Sequence, residues 1–600
     1  MTKLTNALLV LLLYPLWVQA DVGSWTTAYF EAENFTSQTG GNKASSEYFP
    51  YIGEGYLEMG GQGAAVSWDN ITVPKAGKYT LLFKYANNTQ QDLPCDLKVN
   101  GDFIKSIPFG PFVKTWATPW PAATEYNPET VGWAKYWNAR VIVDLKAGAN
   151  TLELIATSAA GGPHIDNIAA STAISEPPAP VVNVKDYGAV GDGKTDNTEA
   201  IAKAIAACPA GGSVVFDSGI YMTGSILLKS NMTLWVSEKA VIRAIQDNDK
   251  ITSYREAGFA GTSFVKNFLF ANGVENLTIT GGGTIDGNSV NGYLISNKPL
   301  RPVLLGLLNA KNVKVTNLDL LFSHSWLFIP RESDHIIIDG INLHNSHKDG
   351  IAPLDCHDIS ITNSIIAAGD DALTPKSYSA KGIDNLVVKN LTINHCKWKG
   401  IKFGFSSIGD FTNCLFEDIA MVHVQAGITL LLIDGGSASK LTFNRINMNN
   451  VHTPITLLNG GGLRSKASGI TTMKDISISN LEARNVYDPM GSFITGTKVG
   501  DTIHKAENIS LTNVKVDSFK GGLTEVPGTP IEYDGRKADV RLFGNLPAWA
   551  YYIRHADNVV FKNVTHSVSP QDVREDIVLE DVTEFERVGQ DKPLPFKTKQ

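Results

Sequence analysis

Two short phrases in the middle of this 600-residue chain bring together side chains able to move protons: Lys348-Asp349-Gly350-Ile351 and Gly369-Asp370-Asp371-Ala372. In the repeat described below they lie about one coil apart, and stacked strands sit ~4.8 Å from one another. Asp349 is therefore expected beside Asp370 and Asp371 on one face. Carboxylates gathered on one surface repel, which raises the pKa of at least one of them. That one becomes a proton donor while its neighbours stay basic. Cleavage of a glycosidic bond needs this division: one carboxyl protonates the leaving oxygen and another activates water. A gap of ~6.5–9.5 Å between the carboxyls admits the water and inverts the anomeric centre. Stacked Asn/Asp turns and cation sites use the same residue types, and Asp-Gly is a common turn dipeptide, so Asp349 alone says little. The pair Asp370-Asp371 one coil later carries the reading.

The elements that must position these residues recur. From about Val182 a polar pair containing Asn or Asp is followed by alternating apolar residues. Examples are Glu275-Asn276-Leu277-Thr278-Ile279, Lys311-Asn312-Val313-Lys314-Val315, His357-Asp358-Ile359-Ser360-Ile361 and Asp557-Asn558-Val559-Val560-Phe561. The spacing is roughly 23 to 35 residues with one longer insertion, in the range of solenoids. Short strands, few helix-period stretches and Asn at turns favour a right-handed parallel β-helix over leucine-rich repeats or propellers. Its first open edge needs a cover. Asp196-Asn197-Thr198-Glu199 followed by Ala200-Ile201-Ala202-Lys203-Ala204-Ile205-Ala206 reads as a capping helix.

Upstream, residues 21–173 carry short alternating strands, such as Lys78 to Tyr85 and Arg140 to Leu145, separated by Gly-rich turns. This is the pattern of a β-sandwich. The predicted fold is thus all-β, a parallel β-helix at 182–587 behind an N-terminal sandwich, with a tail at 588–600. The proline-rich segment 174–181, centred on Glu176-Pro177-Pro178-Ala179-Pro180, is the expected linker. Tyr29-Phe30-Glu31-Ala32-Glu33-Asn34 and His164-Ile165-Asp166-Asn167-Ile168 resemble carbohydrate-binding modules of families 6 and 35. That resemblance implies a structural calcium held by Glu31, Glu33 and Asp166, hard oxygen ligands of the kind calcium takes. Trp116, Trp120, Trp133, Tyr136 and Trp137 crowd one segment. Sugar C–H faces stack on such rings, so one or two of these tryptophans are expected to form a platform and the others to be core.

Composition narrows the functional classes. Charged residues make up 19% and hydrophobic ones 43%, and the net charge is −8, which argues against nucleic acid as a partner. The five cysteines are too scattered for a disulfide scaffold or a CxxC metal site, and at least one must stay a thiol unless it crosslinks to another chain. Lys3, an apolar run from Ala7 to Trp17 and Val18-Gln19-Ala20 read as a secretory signal peptide cleaved after Ala20. The expected product is exported, extracellular or periplasmic, without a membrane anchor, and monomeric.

The segment from Arg301-Pro302 through Asp349-Gly350-Ile351, Gly369-Asp370-Asp371-Ala372 and Pro375-Lys376-Ser377 resembles glycoside hydrolase family 28, which contains polygalacturonases and rhamnogalacturonan hydrolases. Asp186-Tyr187-Gly188-Ala189 and Tyr552-Ile553-Arg554-His555 extend the similarity over nearly all of 182–587. The resemblance implies an inverting hydrolase of an acidic polysaccharide that needs no cofactor for catalysis. Asp370 would be the general acid, and Asp349 and Asp371 would position and deprotonate water. Three family features are altered. His347-Lys348-Asp349 stands for Asn-Thr-Asp, Lys399 replaces the His before Gly400, and Thr429-Leu430-Leu431 falls where the family has Arg-Ile-Lys. An Arg fork is the usual grip on a carboxylate. Its loss turns attention to Lys348, Lys376, Lys399 and Lys402 as substrate-binding cations, although a cation near the acid would lower its pKa. Trp326 and Trp398 are the candidate sugar platforms of the cleft. Two other readings share this fold: a polysaccharide lyase with a lysine base, and a noncatalytic sugar-binding solenoid.

Overall fold

A computed structural model describes residues 26–111, 136–258, 261–289, 301–464, 471–535, 539–589 and 598–599. The proposed leader and Trp116, Trp120 and Trp133 lie outside the described residues. No described helix is long and apolar enough to cross a membrane. All five cysteines are buried thiols.

The alternating N-terminal segments form two antiparallel sheets. One orders Lys43–Ser45, Tyr56–Glu58, His164–Thr172, Gly77–Ala86 and Trp137–Leu145, with Thr26–Glu31 also paired to His164–Thr172. The other orders Ser37–Thr39, Ala65–Val73, Gly148–Ala156, Cys95–Val99 and Asp102–Ile107. Val66, Leu81, Phe83, Leu97 and Leu154 fill the space between them.

From Val181–Asn183 onward the chain winds into a parallel solenoid. Equivalent apolar positions stack coil upon coil: Val313 pairs with Ile336, Ile336 with Ile359 and Ile359 with Leu386, all fully buried. Each such side chain contributes ~1.5–3 kcal/mol of burial. The corners explain the recurrent asparagines. Asn312, Asn317, Asp358, Asn363, Asn385 and Asn390 have φ between 49° and 56°, the left-handed region that Asn and Asp tolerate better than other side-chain-bearing residues. Their side chains also bond up the stack, with Asn390 Nδ2 donating to Asn363 Oδ1 at 2.8 Å and Asn385 Nδ2 to Asp358 Oδ1 at 2.8 Å. The helix Thr198–Ala207 covers the first coil, sinking Ile201, Ala204 and Ile205 into the core. Asp196 Oδ1 accepts the Thr198 N–H at 3.0 Å, as its place at the helix start predicts.

The sandwich is docked, which differs from a module swinging on a proline tether. The proline segment itself lies on the first coil: Pro178 O accepts Ser213 Oγ at 2.6 Å and Pro180 O accepts Ser213 N at 2.9 Å. Residues that look solvent-facing in the sandwich strands turn inward to the solenoid corners. Lys84, 1% exposed, donates to Asn390 Oδ1 at 2.6 Å and to its carbonyl at 3.2 Å. Arg140 donates to the carbonyls of Gly340 and Leu318 and pairs with Asp319 at 2.9 Å. Asn138 bonds Asn342 and Asn363, and Asn394 holds both backbone groups of Tyr136. Trp137 stacks on His344 with centroids 4.5 Å apart. This tryptophan is therefore committed to the interface rather than to an open sugar platform. Asn390→Gly removes the shared acceptor without adding left-handed strain and leaves the Lys84 ammonium short of a partner. Bonds to charged groups contribute ~1.5–3 kcal/mol, so the denaturant midpoint for release of the sandwich should fall by a corresponding amount. An unchanged midpoint would show that this polar seam adds nothing to docking.

Candidate active site

The site forms where one corner of the coil leads into a strand face. Asp349 follows the strand Asn342–Ser346, and Asp370-Asp371 follows His357–Ala368. Immediately beyond, Ile351 bridges Phe328 and Leu373, and Leu373 bridges Ile401, so the aspartates occupy the same corner of successive coils. Gly350 N donates to Asp371 O at 2.9 Å and Asp370 N to Lys348 O at 3.2 Å. Two glycines permit this approach. A Cβ on Gly369 would meet Ser346 O at 2.3 Å, and one on Gly350 would meet Ala372 O at 2.6 Å.

Carboxylate oxygens of Asp349, Asp370 and Asp371 come within 4.8 Å of one another. This is tighter than the ~6.5–9.5 Å gap expected from the general inverting geometry, because adjacent coils are separated by a single strand spacing. Two lysines make the proximity tolerable. Lys376 Nζ donates to Asp349 Oδ2 at 2.9 Å, and Lys402 Nζ to Asp371 Oδ2 at 2.6 Å. Trp326 Nε1 donates to the same Asp349 oxygen at 2.9 Å, and Asp371 Oδ1 accepts Lys399 N at 3.0 Å. Asp349 is almost fully buried, yet Lys376 and then Lys402 hold its carboxyl below the usual carboxylate range against the opposing desolvation. Asp370 has no such partner among the described residues. Burial first, then the charges of Asp349 and Asp371, push it up to about 6. The cluster thus holds a ready proton donor beside two lysine-paired carboxylates.

These pairings revise the lysine and tryptophan assignments. Lys376 and Lys402 are bound to aspartates and largely buried, so they serve the acids rather than substrate. Asp349 also holds the Lys376 ammonium above its ordinary value, which removes it as a lyase-type base. Lys348 lies over the Trp326 ring at 4.6 Å, and the indole N–H is committed to Asp349. Trp326 is accordingly placed to orient Asp349 rather than to stack on sugar. Trp398 is half-buried, with Lys399 and Lys397 at 4.9 and 5.2 Å from its ring centre. Thr429, in the altered family position, is fully buried and bonded to Thr456 at 2.9 Å, unable to reach a ligand.

Sequence reading missed Asp539 and Arg541. They flank the start of a short 3-10 turn well over a hundred residues downstream, yet Asp539 Oδ2 lies 4.0 Å from Lys399 Nζ and Arg541 lies 5.8 Å from the Trp398 ring. No local motif marks them. In the sandwich, Glu31 Oε2 and Glu33 Oε2 are buried without hydrogen-bond partners among the described residues. Burial and the neighbouring acids push Glu31 up to about 9. Asp166 is engaged differently: its oxygens accept Ile52 N and Asn167 Nδ2, and the Lys84 charge lies nearby.

Fold and site together describe a β-helical protein with three aspartates gathered at one corner of its coils. The family model of Glycosyl hydrolases family 28 matches residues 236–528. A probable polygalacturonase of Vitis vinifera is 26% identical over 396 residues, 58% of this chain and 80% of that protein. An exopolygalacturonase of Cochliobolus carbonum is 26% identical over 377 residues, 56% of this chain and 80% of that protein. The solved family 28 exopolygalacturonase of Yersinia enterocolitica shares the fold, with a TM-score of 0.55 at 16% identity over 90% of this chain and 99% of its own. Residues 236–528 of the solenoid match the family 28 model, and the chain is a glycoside hydrolase.

Trp326→Phe keeps the ring and deletes the donor to Asp349. A bond to a charged group is worth ~1.5–3 kcal/mol, so kcat should fall ~10- to 100-fold with KM little changed, and the acid limb of the pH profile should move upward. A rise in KM alone would instead make Trp326 a sugar platform.

Proposed function

We propose that this protein is an exported, inverting hydrolase of an acidic, pectin-type polysaccharide. The observation that carries the reading is the raised carboxyl of Asp370 between two lysine-paired carboxylates. Asp370 gives its proton to the glycosidic oxygen. Asp349 and Asp371 hold a water and take its proton as the bond to the anomeric carbon forms. Inversion is supported by the way both bases are tied. Asp349 is bonded to Lys376 and Trp326, and Asp371 to Lys402 and the Lys399 N–H. These donors weaken each carboxylate as a direct nucleophile and favour a bound water as the attacking group. The names of the related polygalacturonases support a uronate polymer, and the apolar segment before Ala20 supports export.

Asp370→Asn preserves shape and removes the acid. Its kcat should drop ~10²- to 10⁴-fold on polygalacturonan, the usual worth of a general acid. In the parent enzyme Asp370 must be protonated, so kcat/KM should decline as pH rises through about 6, whereas the residual rate of the variant should lack that limb. NMR of the first product should show the anomer opposite to the substrate linkage. A variant with normal turnover removes Asp370 from the mechanism, and retained configuration removes the single displacement.

The sandwich supplies a sugar-binding module whose acidic cluster takes a structural calcium. The unpartnered oxygens of Glu31 and Glu33 fit a hard cation, which would relieve their mutual repulsion, with Asp166 adding negative charge alongside. Calcium at 100 times its Kd should stabilise the protein by ~2.7 kcal/mol, read as a raised Tm that a chelator reverses. Glu33→Gln should abolish the shift. A melting curve indifferent to calcium would leave these acids without a metal.

A further inference from the structure

Of the four lysines around the aspartates, three have evident occupations: Lys376 on Asp349, Lys402 on Asp371 and Lys348 over Trp326. Lys399 does not. It begins the strand Lys399–Phe403, and its side chain is 6% exposed. Its ammonium makes no hydrogen bond among the described residues. The only carboxylate of the described residues within 4.0 Å is Asp539, at that distance limit, and Asp539 is already engaged by the backbone and side chain of Arg541 at 3.0 and 3.3 Å. A largely buried lysine whose ammonium has no hydrogen-bond acceptor among the described residues is placed to receive one from a ligand. The backbone N–H of the same residue is bonded to Asp371, which fixes this ammonium one residue's reach from the hydrolytic centre. Trp398 lies beneath it, 4.9 Å to the ring centre, and Arg541 lies 5.8 Å from the same ring.

We propose that Lys399, seated over Trp398, is the receptor for a substrate carboxylate, taking over in this chain the anion-binding task for which buried Thr429 is unsuited. The inference rests on the reading of the cleft as a hydrolase of acidic polysaccharide. A uronate entering here supplies the Lys399 ammonium with its missing acceptors, while its sugar ring packs against Trp398. Burial lowers the affinity of the free ammonium for its proton, and a bound carboxylate restores it, so acid binding and full protonation of Lys399 reinforce one another.

The test uses the full chain carrying Asp370→Asn, so that ligands bind without turnover. Calorimetry compares trigalacturonate with the same oligomer fully methyl-esterified, with and without Lys399→Met or Lys399→Arg. The parent should bind the free acid at least ~10-fold more tightly than the ester, the gain expected of one charge-assisted contact. Lys399→Met should remove that preference while leaving ester affinity within about twofold, and Lys399→Arg should retain part of it. Because Met fills the space of an unpaired buried charge, the Tm of Lys399→Met should hold or rise. Preference for the acid surviving in Lys399→Met overturns the assignment. So do equal loss of acid and ester with a lowered Tm, which makes Lys399 structural, and a parent indifferent to the carboxylate. If the parent prefers the acid through Lys399 but the unmutated enzyme releases no reducing ends from polygalacturonan, the receptor stands and the functional reading falls.

Discussion

Two buried carboxyls and a half-buried third must balance their charge, and the site is built around that requirement. Ions brought into contact in a low-dielectric place interact far more strongly than in water. Two ammonium groups, Lys376 and Lys402, balance two carboxylates, Asp349 and Asp371. The third carboxyl, Asp370, has no paired cation among the described residues and keeps its proton into the mildly acidic range. The acid is thus defined by subtraction: it is the member of the cluster left without a lysine. A cation introduced beside Asp370 would discharge it, and removal of either lysine would spread protons over the other two aspartates.

Only a stacked fold holds this balance with such economy. Asp349 and the Asp370-Asp371 pair occupy one corner of consecutive coils, and their lysines lie farther along the strands that those corners feed. Register, once set by the aliphatic ladder, sets every distance in the site. Gly350 and Gly369 let the corners close onto one another. A different corner of the same coils carries Asn363 and Asn390, and the sandwich bonds these through Asn138, Lys84 and Asn167. Cleft and docking seam thus use two corners of one stack. His344, which receives Trp137 of the sandwich, lies only a few residues before Asp349, so the docked domain braces the strand that delivers a catalytic carboxylate.

Much of this was legible because it is local and periodic. Alternation in Lys311 to Val315 and its relatives, asparagines at left-handed corners, the capping helix after Asp196 and the aspartate pair all write themselves into short stretches of chain. What was misread depends on pairing across coils. Lys376 and Lys402 looked like substrate ligands because nothing in sequence shows that each falls opposite an aspartate on a neighbouring coil. Trp326 looked like a platform because its indole N–H has no sequence signature. Lys84 sits in a strand whose alternation places it toward solvent, yet solvent there has been replaced by the solenoid. The proline segment marked a change of domain but carried no information about whether the domains touch.

The chain as a whole is acidic, with a net charge of −8, while the cleft gathers lysines. These facts are compatible because positive charge in the cleft has two separate tasks. Lys376 and Lys402 tune the aspartates and are screened from any ligand by the pairs they form. A cation meant for substrate must remain uncommitted and must also stay electrically remote from the acid. Lys399 meets the first, with no hydrogen-bonded carboxylate among the described residues, while Asp371, Asp539 and Asp370 all bear on its charge. The leading influences on Asp370 are burial, Asp349 and Asp371, followed by Lys402 and Lys376, with Asp371 standing between Asp370 and the Lys399 side of the site. An Arg fork at Thr429 would act from the next coil, directly against Lys402, where the strand register pairs the two residues. A second strong cation at that position would compete for Asp371.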